Sequence, residues 1–155
     1  MEIADLLSSD SVLPKLRVSG KKQALQELAK RAAALTQLPE RQIFDVILER
    51  ERLGTTGVGG GIAIPHGRLP KLDRIYGLFA RLEQPIDFES IDEQPVDLIF
   101  MLLAPEAAGA DHLKALARVS RMLRDRSVTE KLRGSDSREA LYALLTDSNG
   151  TSKAA

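Results

Sequence analysis

One stretch of this chain constrains its fold more than any other. Residues 96–104 read VDLIFMLLA and are almost entirely apolar. A strand with one exposed face alternates apolar and polar side chains, whereas a strand covered on both faces is apolar throughout. The run therefore predicts a central strand in a sheet with helices on both faces. The longest apolar stretch, residues 98–105, is too short to cross a bilayer.

Helix and strand patterns alternate along the rest of the chain. The predicted strands are a short edge strand at 12–18, core strands at 62–64 and 75–82, and a brief antiparallel excursion within 85–92. The first predicted helix begins after Ser19 as N-cap, and the second follows Leu38-Pro39 and stops at Gly54. A third helix runs from a capping Asp111 to about Arg124, and two shorter helices cover 127–133 and 137–145. The fold class is therefore α/β, with a mixed, mainly parallel β-sheet flanked by helices on both faces. We expect one domain over residues 1–147 and a flexible tail at 148–155.

Apolar spacing also predicts which face of each longer helix packs inward. The predicted inward residues are Ala24, Leu25, Leu28, Ala29, Ala32 and Leu35 in the first helix, Ile43, Phe44, Ile47 and Leu48 in the second, and Leu113, Leu116, Ala117, Ser120 and Leu123 in the third.

Composition excludes several kinds of site. Lys plus Arg and Asp plus Glu both number 22, so no bulk positive charge exists to hold nucleic acid or an anionic membrane. The chain has no cysteine, which excludes disulfides, thiolate metal sites and a cysteine nucleophile. The N-terminus carries early acidic residues and no long apolar run, so it does not resemble a signal peptide. We expect a cytoplasmic protein.

A glycine-rich segment precedes the second strand. Residues 54–61 read GTTGVGGG, with five glycines in eight positions. Such a segment predicts an irregular loop that needs unusual backbone angles or a close approach to another group. It lacks the lysine of a P-loop and the spacing of a dinucleotide-binding loop, so on its own it is a weak phosphate-binding signal.

The only two histidines, His66 and His112, each follow a predicted strand. Sites in open α/β sheets gather at the carboxyl ends of strands. His66 is expected in a turn between Pro65 and Gly67, which would leave its imidazole presented rather than packed. A neutral imidazole is a good nucleophile near pH 7, provided one ring nitrogen is free. Alternatively, either histidine is an ordinary surface residue, or the two bind a metal, although no third ligand is evident.

A phosphoryl group on an imidazole would need donors around it. The candidate guanidinium is Arg50 or Arg52 at the end of the preceding helix. The candidate hydroxyls and loop amides are those of Thr55, Thr56, Gly57, Gly59 and Gly67.

Taken together, these residues resemble a known family. The segment from Arg50 to Gly67, RERLGTTGVGGGIAIPHG, closely resembles the active-site segment of enzyme IIA proteins of the phosphoenolpyruvate-dependent phosphotransferase system. The resemblance is to the mannitol and fructose type, and most of all to its nitrogen-regulatory branch. It extends through IDFESIDEQPVDLIFMLLAP and the DHL at 111–113, and covers about residues 10–147.

The resemblance implies a role for three residues and for the loop. His66 matches the histidine that is phosphorylated on Nε2, Arg50 the arginine that contacts the phosphoryl group, and His112 a second active-site histidine that is not phosphorylated. Nitrogen-branch relatives often read GSTG where this chain has Gly54 to Gly57, and Thr55 keeps the hydroxyl. Gly60 stands where those relatives often have Asn, a change that removes a side chain but leaves the backbone donors.

The implied function is that of a phosphohistidine carrier that needs neither cofactor nor metal. It would accept a phosphoryl group from a histidine phosphocarrier protein and regulate targets such as potassium transport proteins or sensor kinases. One alternative is a stand-alone IIA component that passes phosphate to a sugar-specific (fructose or mannitol) IIB permease component. A second is a binding module whose site has decayed, which the presence of Arg50, His66 and His112 disfavours.

Overall fold

The computed structural model describes residues 1–147, which form a mixed sheet between two layers of helices. The strands are β1 (Val12–Leu16), β2 (Gly57–Gly59), β3 (Ile62–Ala63), β4 (His66–Leu69), β5 (Tyr76–Ile86) and β6 (Val96–Pro105). Their order is β1-β5-β6-β3-β2, and β4 also pairs with β6. The β1/β5, β3/β6 and β4/β6 pairs are parallel, and the β5/β6 and β2/β3 pairs are antiparallel. The predicted mixed α/β class is confirmed.

Strand β6 lies at the centre of the sheet, as its apolar run predicts. Ile99, Met101 and Leu103 enter one hydrophobic core, and Leu98, Phe100, Leu102 and Ala104 enter the other. All seven side chains are completely buried. Because successive residues of a strand point to opposite faces, only a strand covered twice needs such a run.

Five α-helices cover the sheet within the described residues. They are α1 (Lys21–Thr36), α2 (Glu40–Leu53), α3 (Ala110–Arg124), α4 (Arg126–Arg133) and α5 (Arg138–Thr146). The buried apolar residues of α1 and α2 belong to the first core, and those of α3, α4 and α5 to the second. The short helices begin at side-chain caps: Asp125 accepts from the Ser127 amide and Ser137 from the Ala140 amide. None of the helices in residues 1–147 is both long and apolar enough to cross a membrane.

Two predicted caps are wrong. Helix α1 has Gly20 at its N-cap, and the Ser19 amide and hydroxyl both donate to the side chain of Gln23. Helix α3 has Gly109 at its N-cap, which places Asp111 inside the first turn without a capping bond. Gly109 has φ +58°, a left-handed angle that a glycine adopts without strain.

The predicted inward face of α3 is wrong in part, although Leu123 is buried and Leu116 packs at the margin of the second core. Its buried residues are His112, Ala115, Val119 and Leu123, whereas Leu113 is 65% exposed and Ala117 is exposed. The true stripe begins at a histidine, which a count of apolar positions does not include. The predicted inward faces of α1 and α2 are confirmed, with Leu35, Phe44 and Leu48 partly buried at the margin of the first core.

The strands also differ from their predicted bounds. β5 extends to Ile86, which pairs with Val96, so the predicted antiparallel excursion begins as a continuation of β5. The glycine segment is not wholly irregular, because Gly57–Gly59 forms β2 against β3. The unusual angles lie at its start, where Gly54 has φ +157°, and at its tip, where Gly59, Gly60 and Gly61 have φ values of +101°, +67° and +80°. The predicted tail at 148–155 lies outside the described residues.

Candidate active site

The two histidines meet at the carboxyl end of β6. His66 is the first residue of β4 and pairs with Leu102. His112 lies in the first turn of α3, which follows β6 after a short 3-10 turn at Glu106–Ala108. The two ring centroids are 5.6 Å apart and the ring planes are inclined by 72°. Their expected position at strand ends is confirmed, but His66 begins a strand instead of occupying a turn.

The hydrogen bond of His66 determines which ring nitrogen is free. Its Nδ1 lies 2.9 Å from the carbonyl oxygen of Ile64. A carbonyl oxygen can only accept, so Nδ1 of the neutral ring carries the proton. The lone pair therefore lies on Nε2, the nitrogen that can act as a nucleophile.

The electrostatic environment of His66 favours the neutral ring. Burial lowers the pKa of His66 and the hydrogen bond to Ile64 opposes this; among smaller effects, the charge of Arg50 lowers the pKa and that of Glu51 raises it. The net shift is downward from 6.5, so the unprotonated form predominates at neutral pH.

The hydrogen bond of His112 has the opposite direction to that of His66. Its Nδ1 accepts a hydrogen bond from Nε of Arg68 at 3.0 Å. The side chain is buried, and Nε2 has no hydrogen-bond partner among the described residues. Burial, followed by the charges of His66 and Arg68, lowers the pKa of His112 to about 4. Both imidazoles are therefore neutral at pH 7.

Of the two candidate guanidinium groups, the structure brings Arg50 to His66. Arg50 donates to the carbonyl oxygen of Gly54 at 2.8 Å, and its charge acts on His66. Arg52 instead pairs with Glu49 at 3.4 Å, with both side chains about two-thirds exposed. Arg50 thus combines a fixed position at the end of α2 with four remaining N–H groups.

The two candidate threonine hydroxyls have other partners here. The Thr55 hydroxyl donates to the carbonyl oxygen of Phe88 at 3.0 Å. The Thr56 hydroxyl and amide both bond to the buried carboxylate of Glu51, which also pairs with Lys21 at 3.0 Å. These contacts fix the start of the loop, and a phosphate contact by either hydroxyl stays a prediction.

The three candidate glycines occupy different positions. Gly57 pairs with Ala63 and lies against Ser90, whereas Gly59 pairs with Ile62. Gly67 packs against α2, where an added Cβ would lie 2.6 Å from Cγ1 of Val46. Packing alone explains Gly67, and phosphate binding by the three amides stays a prediction.

The sequence analysis missed three parts of this site: the Ile64 carbonyl, Arg68, and the Lys21–Glu51 ion pair. Arg68 had a usable signal, since residues two apart on a strand share a face, and His66 and Arg68 both lie on β4. The Lys21–Glu51 pair joins two helices and has no local signal.

The described residues contain no group of three or more His, Cys, Asp or Glu side chains arranged to hold a metal ion. Nδ1 of His66 faces a carbonyl, and the guanidinium on Nδ1 of His112 places the proton of that ring on Nε2, so only Nε2 of His66 presents a free lone pair. The geometry therefore does not favour the two-histidine metal site.

The chain is similar to known proteins along most of its length. Residues 5–148 match the family model described as phosphoenolpyruvate-dependent sugar phosphotransferase system, EIIA 2. A nitrogen regulatory protein of Bradyrhizobium diazoefficiens is 63% identical over 145 residues, covering 94% of this chain and 95% of that protein. A fructose-specific EIIA component of Haloferax volcanii is 41% identical over 104 residues, covering 67% of this chain and 68% of that protein.

A solved structure agrees as well. The crystal structure of nitrogen regulatory protein IIA-Ntr from Neisseria meningitidis superposes with a TM-score of 0.88 at 34% identity, covering 93% of this chain and 99% of that one. The chain therefore belongs to the EIIA 2 family of the phosphoenolpyruvate-dependent phosphotransferase system, whose members are phosphocarrier components of that system.

Proposed function

We propose that this chain is a phosphohistidine carrier of the nitrogen-regulatory phosphotransferase system, with Nε2 of His66 as the phosphoryl acceptor. The observation that carries the proposal is the 2.9 Å contact between Nδ1 of His66 and the Ile64 carbonyl. It leaves one nucleophilic nitrogen on a half-buried ring whose pKa is lowered by burial.

The donor is a phosphorylated histidine carrier protein. Nε2 of His66 attacks phosphorus in line, the N–P bond to the donor imidazole breaks, and that imidazole recovers its lone pair. Because one nitrogen–phosphorus bond forms as another breaks, the reaction has a small free-energy change and is reversible. Arg50 and the Nε2–H of His112 meet the charge on the phosphoryl oxygens.

Regulation follows from the charge that the phosphoryl group brings. Transfer adds a PO₃⁻ unit, so the phosphoryl oxygens carry about two negative charges while the ring that keeps its Nδ1 proton carries about one positive charge. The neutral site therefore becomes anionic. Two large apolar side chains lie close to site residues in the chain: Leu53, 83% exposed, at the end of α2, and Leu113, 65% exposed, beside His112. A target that covers these leucines and the neutral imidazole would have to desolvate the phosphate, and a 1.4 kcal/mol cost is tenfold in affinity.

Reconstitution tests the carrier role. The protein is incubated with phosphoenolpyruvate, the general phosphotransfer enzyme and a histidine carrier, and its intact mass is followed. One acid-labile phosphate is expected on the parent and none on His66→Ala. Full labelling of His66→Ala, or no labelling of the parent, would contradict the proposal.

The second candidate function is sugar transport, favoured by the similarity to the fructose-specific EIIA component. In that case a sugar-specific IIB component would accept the phosphoryl group rapidly. Pull-downs with the phosphorylated parent and with His66→Ala distinguish the two. A regulator, transporter subunit or kinase recovered by one form only supports regulation. A IIB protein as sole partner, with rapid phosphoryl acceptance, supports transport.

A further inference from the structure

Arg68 makes a contact that the carrier role alone does not require. Its Nε donates to Nδ1 of His112 at 3.0 Å, and its two terminal nitrogens lie 3.4 Å from the Glu106 carbonyl oxygen and 3.3 Å from the Gly109 carbonyl oxygen. The guanidinium therefore spans from β4 to the turn before α3. It is held at three points, all of them acceptors.

This contact determines the protonation of His112. A guanidinium has only donors and keeps its protons at any pH a protein experiences. Nδ1 of His112 must therefore be the acceptor, and the proton of the neutral ring must lie on Nε2. That Nε2–H is buried and has no partner among the described residues, although buried donors nearly always have one.

We propose that Arg68 is a positioning residue that holds His112 in the Nε2–H tautomer, so that a desolvated donor faces the phosphoryl group on His66. The inference rests on the proposed function of His66. The two rings, 5.6 Å apart, are thereby fixed in opposite tautomers. A carbonyl oxygen holds the proton of His66 on Nδ1, which frees Nε2 as nucleophile. A guanidinium keeps Nδ1 of His112 bare, which makes its Nε2 a donor.

A substitution that places an acceptor where Arg68 places its Nε tests this arrangement. In Arg68→Glu, a carboxylate oxygen stands the same number of bonds from the backbone as the arginine Nε. A carboxylate only accepts, so it should draw the His112 proton to Nδ1. Arg68→Lys keeps a charged donor and should keep the Nε2–H tautomer. Arg31→Glu is the matched control, because the Arg31 guanidinium also donates to a backbone carbonyl, that of Asp10, but is not bonded to either histidine.

Two-bond ¹H–¹⁵N spectra give the readout, since the chain has only two histidines to assign. They are recorded at about pH 8, where both rings are neutral. Nδ1 of His112 should be unprotonated in the parent, Arg68→Lys and Arg31→Glu, and protonated in Arg68→Glu. His66 should stay in the Nδ1–H form throughout. An unchanged His112 in Arg68→Glu would overturn the inference, as would the same change in Arg31→Glu.

Phosphoryl transfer at the same pH completes the test. Transfer to Arg68→Glu should be slower than to the parent by about tenfold or more, because the donor beside the phosphoryl group is lost. An altered tautomer with an unchanged rate would overturn the role of the Nε2 proton and leave His66 as the carrier. If the parent accepts no phosphate at all, the proposed function fails, and the spectra still decide what Arg68 does to His112.

Discussion

The rings of His66 and His112 lie edge to face, with centroids 5.6 Å apart, and each ring is held by a hydrogen bond through its Nδ1. Burial is the main reason that the pKa of each ring falls below 6.5. For His112, the charges of His66 and Arg68 lower the pKa further. The site therefore keeps two neutral rings ready for an anionic group.

The first prediction concerns acid stability. His112 has a pKa of about 4 in the folded protein against 6.5 when unfolded. Below about pH 6.5 the unfolded chain binds a proton that the folded chain does not, so the stability present at pH 7 is lost as pH falls toward 4. The loss from this group between pH 7 and pH 5 should be on the order of 2 kcal/mol. His112→Gln should lose correspondingly less in urea titrations at the two pH values. An equal loss in both proteins would contradict the shift.

The second prediction separates the two arginines of α2. Arg50→Ala should slow phosphoryl transfer by about 10²-fold or more, because a fixed guanidinium near His66 stabilises developing charge. Arg52→Ala is the control, since Arg52 pairs with exposed Glu49 and should transfer at close to the parent rate. Single-turnover transfer from the phosphorylated carrier measures both. Equal rates for the two variants would show that Arg50 has no special role.

The third prediction concerns the buried carboxylate of Glu51. Its side chain is 2% exposed and is bonded to Thr56 and Lys21. Glu51→Ala should lower the free energy of unfolding by about 3 kcal/mol or more, because it leaves buried polar partners unpaired. Glu49→Ala, on the exposed side of the same helix, should cost less than about 0.5 kcal/mol. Urea denaturation compares the two, and similar costs would contradict the importance of this network.

The fourth prediction tests the close approach of α2 to β4. An added Cβ at Gly67 would lie 2.6 Å from Cγ1 of Val46, so Gly67→Ala should destabilise the protein by about 1–3 kcal/mol. Combining it with Val46→Ala removes the obstructing methyl group. The double variant should therefore lose less stability than the sum of the single variants. If the stability losses of the two single variants simply add, the Cβ of residue 67 does not clash with Val46.

Sequence patterns predicted the frame of this protein because they report local periodicity. The apolar run of β6 placed the sheet between two helical layers, and the positions of His66 and His112 after strands placed the site. The failures have local causes too. Pro65 and Gly67 are typical of a turn, so the sequence predicted a turn at His66 and strand β4 was missed. Without β4, the common face of His66 and Arg68 could not be predicted.

Other features could not be predicted because they depend on distant parts of the chain. Lys21 reaches Glu51 only after α1 packs on α2, and the Thr55 hydroxyl donates to the carbonyl of Phe88, which is distant in sequence. The predicted α3 face began one residue too late because its first buried position is His112, a polar residue. Leu113 is exposed as a consequence, directly after His112 in the chain.

The central claim is that Nε2 of His66 carries the phosphoryl group while Nδ1 keeps its proton. Nitrogen-15 labelled protein, phosphorylated from phosphoenolpyruvate, tests it directly through ¹⁵N–³¹P coupling and two-bond ¹H–¹⁵N spectra. We expect phosphorus coupled to Nε2 of His66, a protonated Nδ1 on the same ring, and no phosphorus on His112. Phosphorus on Nδ1 of His66, or on His112, would contradict the account.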